Sequence, residues 1–231
     1  SSARTLQHED FWTDFLRGRL DDAAAHRCES TEDPWVRLAW QANFSLLAFV
    51  REGIAAAMVH QREAERLVAQ IDALPVGGPD PASHSASVHH AHRSLEVNRA
   101  FFLAHSPERA DIDEAMALAD RWQSKGVPAT PLQVAQVRTR GLVLLHAGRF
   151  GAGIAESRRA LQSCEPFWLR SLGLSYLAYG HALRADRVRA RRFVRKARRL
   201  APRNPLLAVR LRLIEAALEG ASERAPAAVI R

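Results

Sequence analysis

The sequence predicts an all-α protein, and three observations carry that expectation. Apolar residues recur at the helical period along nearly the whole chain. No run of alternating apolar and polar residues stands between turn residues, as a half-buried strand would. A helix-start signal, a capping residue followed by proline at the first helical position, recurs as Asp33-Pro34, Thr130-Pro131 and Asn204-Pro205, and less ideally as Glu165-Pro166. Thr130 with Gln133 and Asp111 with Glu114 add capping-box spacing.

The pattern places eleven helices, at roughly 6–18, 21–29, 34–50, 54–74, 86–105, 111–125, 130–147, 151–164, 167–185, 188–200 and 205–219. The first and third carry aromatic residues at helical spacing: Phe11, Trp12 and Phe15, then Trp35, Trp40, Phe44 and Phe49. Core packing is the simpler reading of these, and a partner groove with aromatic hot spots the alternative. In the fourth, Glu65 lies near Arg62 and Arg66, the mark of a solvated face. LPVGGPDPASHSAS, residues 75–87, then reads as a mobile loop between an N-terminal sub-block, 1–74, and a C-terminal block, 88–220. Later connections are short and hold glycine, as in HAGRF, so neighbouring helices pack antiparallel. Residues 221–231 read as a frayed tail.

Charge is unevenly spread. Of 231 residues, 33 are basic and 25 acidic, a net of +8. From Arg184 to Arg212 there are twelve basic residues against one acidic, Asp186, a local net of +11 that leaves −3 for the remainder. The two cysteines, Cys28 and Cys164, exclude a disulfide framework and a CxxC zinc site and fit a reducing compartment, so a cytoplasmic setting is expected. No apolar run reaches the ~18 residues of a membrane span. The start, SSARTLQHEDFW, has no signal region and no initiator Met, as expected of a trimmed chain or a piece of a longer one.

The stretch VRTRGLVLLHAGRFGAGIAESRRALQSCEP can be laid on LGLSYLAYGHALRADRVRARRFVRKARRLAP. Gly141 then matches Ala178, Leu144 matches His181, Gly153 matches Ala190, and Ala160 matches Ala197. Small residues stand where one helix must approach the next, with Pro166 and Pro202 near the unit ends. This resembles the tetratricopeptide repeat, most clearly over 134–219. AMALADRW and GIAAAMVHQREAERL look like second helices of earlier, degenerate units. The resemblance implies a right-handed α–α superhelix of helix pairs with a concave groove lined by first helices, and a solvating helix at 205–219. It implies groove contacts from exposed first-helix positions, among them Arg138, Arg170, Ser175 and Tyr179.

Catalytic chemistry finds little support. HAGRFGAGIAES is glycine-rich but lacks the Lys-Ser/Thr of a phosphate loop, and no strand precedes it. His84, His89, His90 and His92 cluster, and His89 and His92 would share a helix face able to hold a metal. No HExxH or cysteine partner accompanies them, so a polar junction is the simpler reading. Neither cysteine sits in a nucleophile setting, and no acid/base pair stands out. No enzyme activity and no cofactor are expected.

The stretch RADRVRARRFVRKARRLAPRNP is amphipathic. Ala190, Phe193, Val194, Ala197 and Ala201 form one stripe, with Arg192, Arg195, Lys196 and Arg199 opposite and Arg191 and Arg198 at the boundary. It is therefore a helix and not a disordered arm. Its basic face suits an anionic partner. The leading expectation is a non-catalytic adaptor that binds a peptide or helix of another protein, with an acidic segment as one form of partner. A regulatory or sensor arm of a larger signalling or transcription protein, touching nucleic acid with its basic end, is the alternative. Nucleic acid is less favoured, since no aromatics interleave with the Arg face and no readout motif is present. A metal-dependent enzyme built on the His-rich segment is a weaker alternative, and self-association is open.

Overall fold

A computed structural model describes residues 2–26, 33–74, 81–122, 126–163 and 166–220. They form eleven helices: α1 (Ser2–Leu16), α2 (Leu20–Ala25), α3 (Pro34–Arg51), α4 (Ile54–Asp72), α5 (Pro81–Leu103), α6 (Arg109–Asp120), α7 (Pro131–His146), α8 (Phe150–Ala160), α9 (Phe167–Leu183), α10 (Arg187–Leu200) and α11 (Pro205–Glu219). The fold is all-α, with no strand among the described residues. No helix there is long and apolar enough to cross a membrane. Cys28, Cys164, Glu165 and the tail 221–231 lie outside the described residues.

Three starts follow their capping chemistry. Asp33 accepts from the Trp35 N–H, Asn204 accepts from those of Leu206 and Leu207, and Thr130 and Gln133 complete a reciprocal capping box. Two starts differ from expectation. Asp111 sits inside the first turn of α6, and Pro166 precedes α9 as its cap. A larger correction concerns α5, which begins at Pro81, so residues 81–87 are helical where a loop was expected. Residues 75–80 are not described. Further along α5, Val88 and Leu95 are buried against Leu67, Val68 and Ile71 of α4. In the added turns residues 82, 83 and 85–87 are exposed, and His84 is half-buried, its ring 6.3 Å from that of Trp35.

One turn geometry recurs. After α7, Gly148 N–H bonds Leu145 O and Arg149 N–H bonds Leu144 O. After α9, Ala185 bonds Ala182 and Asp186 bonds His181 in the same way, and Gly18 and Arg19 do so after α1. These are Schellman ends, whose pivot residue takes positive φ: 79° at Gly148, 76° at Gly18 and 58° at Ala185.

Sequence neighbours pack as pairs: α3 on α4, α5 on α6, α7 on α8 and α9 on α10. In the third pair, Gly153 lies so near α7 that a Cβ there would fall 2.8 Å from Gly141 O. The equivalent Ala178, Ala190 and Ala197 of the next pair are fully buried. The odd helices also touch one another in series, and α3 meets α11. One core cluster accordingly joins Phe11, Phe15, Trp40 and Phe49 from the N-terminal helices to Leu172, Leu206 and Leu207 near the other end.

Candidate functional site

The inner face of the odd helices is filled by side chains. At its centre is Arg210 of α11, only 2% exposed. Its guanidinium lies 4.7 Å above the Tyr176 ring and 5.8 Å from that of Tyr179, both on α9. Its Nη2 is 2.7 Å from Nε2 of His105, just past the end of α5. The His105 Nδ1 is 2.7 Å from the Phe101 carbonyl, which can only accept. Nδ1 therefore carries the proton, and Nε2 accepts from Arg210. The imidazole is neutral in this arrangement. His146, the last residue of α7, completes the group, its ring 5.5 Å from that of His105 and 5.2 Å from that of Tyr179.

No carboxylate among the described residues pairs with Arg210, and its Nη1 has no hydrogen-bond partner. A neutral imidazole lone pair and tyrosine faces offset its desolvation. Burial and the nearby guanidinium hold His105 well below the usual histidine range and lower His146 to about 3. His146 keeps part of its surface exposed, but its Nε2 is enclosed and unpartnered. Arg210 stands among Leu206, Leu207, Leu213 and Ile214 on the apolar stripe of α11, and a cation at that phase is its signal in the sequence.

This interior corrects part of the expected groove. Tyr179 is 1% exposed and Ser175 is fully buried, its hydroxyl donating to the Leu172 carbonyl at 2.6 Å. Both face inward because their stripe of α9 packs on α11 and α7. Neither is open to a partner. Arg138 is half-buried, and Arg170 is exposed in the first turn of α9. His89 and His92 are exposed on α5, and no group of three or more metal-ligating side chains forms among the described residues. Trp168 stacks on Trp12 at 5.8 Å beside a cleft of about 330 Å³.

The exposed chemistry lies on α10. Arg191, Arg192, Arg195, Lys196, Arg198 and Arg199 are all exposed, as are Arg187 and Arg189, while Ala190 and Ala197 are buried beneath them. Two of the eight are paired, Arg189 with Asp186 at 3.4 Å and Arg198 with Glu215 at 3.0 Å. Comparison with family models, curated proteins and solved structures finds no match. Arg187, Arg191, Arg195 and Arg198 form one wall of a groove of about 660 Å³. The half-buried Val194 and Leu218 are its apolar surface, over the fully buried Ile214, and Glu215 and Glu219 of α11 stand on the far wall. Arg192, Lys196 and Arg199 lie farther round the helix, on the side opposite the buried stripe.

Proposed function

We propose that the chain is a non-catalytic, tetratricopeptide-like interaction module that binds an acidic segment of another protein along α10. The repeat reading is supported by buried small residues at the matched positions 141 and 178, 153 and 190, and 160 and 197. It is supported also by the shared turn at Gly148 and Ala185, which keeps the same spacing. The partner reading rests on a single observation: eight exposed basic side chains on one helix, with no acid within that helix.

That arrangement works against the helix that carries it. Arg187 and Arg189 lie at the positive end of the helix dipole. Arg187, Arg191 and Arg195 repeat at i, i+4 and i+8, a destabilising like-charge series. Among the described residues two ion pairs offset this. An external anion satisfies the rest.

The test is fluorescence anisotropy of a labelled Glu-rich peptide against the full chain at about 0.05 and 0.15 M salt. Binding should weaken with salt and fall at least tenfold when Arg191, Arg195, Arg198 and Arg199 are all changed to Glu. Unchanged binding in that variant would remove α10 from the interaction. Tighter binding of duplex DNA than of peptide at 0.15 M salt would assign the face to nucleic acid instead.

A further inference from the structure

The geometry points to one occupant of the groove between α10 and α11: an amphipathic helix with an acidic edge. This inference rests on the acidic-partner reading and adds the form of the partner.

Each earlier odd helix from α3 to α9 has the next helix packed on it as a mate, and each mate also packs on the following odd helix, as α8 does on α9. α10 packs on α11 less extensively than α8 on α9. The groove is the gap this leaves. Its apolar surface is formed by the half-buried Leu218 of α11 and Val194 of α10, above the fully buried Ile214. Such a surface takes the ridge of a helix between its own ridges.

Charge selects which helix. Arg187, Arg191, Arg195 and Arg198 stand at i, i+4, i+8 and i+11, a row about 16 Å long at 1.5 Å per residue, with Arg198 at its end bridged to Glu215 of the other wall. The opposite wall carries Glu215 and Glu219. A matching helix therefore has Glu or Asp every turn along the edge over α10, an apolar stripe beneath, and a neutral or basic edge over α11. About three to four turns fill the row.

Two other occupants fit less well. A second copy of this chain would bring the same basic wall against its own. Residues 221–231 hold one acid, Glu223, against Arg224 and Arg231, and so lack the complement.

The experiment uses the full chain and two labelled peptides of about fifteen residues with one composition. The first places Leu in a helical stripe beside a Glu edge. The second is permuted to keep the charge and lose the period. We expect the first to bind at least tenfold tighter, and Leu218→Asp to remove that advantage without weakening the second. Arg191→Glu with Arg195→Glu should weaken both. Amide exchange on the wild-type chain supplies a readout independent of whether Leu218→Asp folds, with protection expected over 187–200 and 205–219. Equal binding of the two peptides, lost on charge reversal, overturns the helical occupant and leaves the acidic-partner reading standing. Binding of neither peptide overturns both. A tenfold preference with protection elsewhere places the helix on another surface and also overturns the inference.

Discussion

Arg210 is a cation held in the interior without a counter-ion among the described residues, and its neighbours respond to it. His105 and His146 stay neutral in the folded chain but take up protons near the ordinary value of about 6.5 when unfolded. The unfolded state thus binds more protons below that value, and stability falls as pH drops through 6.5 toward 3. Above pH 7 the penalty is absent. For His146 alone, discounted for its partial exposure, the loss at pH 5 should be on the order of 1–2 kcal/mol, read from urea midpoints at pH 8 and 5. Arg210 is the second cause of both shifts after burial. Arg210→Met should therefore shrink the acid loss, while at pH 8 it should cost about 1–3 kcal/mol, because the buried His105 Nε2 loses its donor. A second residue-scale prediction uses the repeated turn. Gly148 and Ala185 hold the same positive-φ position, and a Cβ at 148 would meet nothing within 4 Å, so only the backbone conformation matters. Gly148→Ala should cost about 1 kcal/mol and Ala185→Gly should stabilise by about 0.5 kcal/mol, seen as opposite shifts in Tm.

At the scale of elements, periodicity and caps made all eleven helices legible, because each depends on local apolar spacing and local start signals. The start of α5 was not legible: nothing in PASHSAS announces that Val88 will be buried on α4. The basic helix was legible in phase, with its exposed and buried sides as the spacing placed them. Its division between a groove wall and an outer row was hidden, since that depends on where α11 lies. Small residues at the α7–α8 crossing were legible as a pattern, and the structure supplies their reason. A Cβ at Gly153 would fall 2.7 Å from Leu145 Cδ2 and 2.8 Å from Gly141 O, so Gly153→Ala must push the helices apart. It should destabilise by about 2 kcal/mol. Gly151, two residues earlier, has open space around its Cα. Gly151→Ala should therefore stabilise by about 0.5 kcal/mol, and chemical denaturation of the two variants checks the contrast.

For the whole molecule, two of the expected groove residues, Ser175 and Tyr179, are buried, and residues of α1 share a core with residues of α11. The resemblance to an extended array holds no information about contacts between residues some two hundred positions apart. Phe11 and Phe15 share a core with Leu206 and Leu207. Phe11 also packs edge-on to Trp40 at 5.8 Å. An open repeat array unfolds as a sum of neighbour terms, and damage at one end stays there. A chain whose ends share a core couples them. Phe11→Ala should destabilise by about 3 kcal/mol, with tryptophan fluorescence and circular dichroism still following one transition. Amide exchange should rise in α11 as well as in α1 and α3, because Leu206 and Leu207 belong to the core cluster that loses the ring. Faster exchange limited to residues 2–51 would show that the two ends touch without sharing stability.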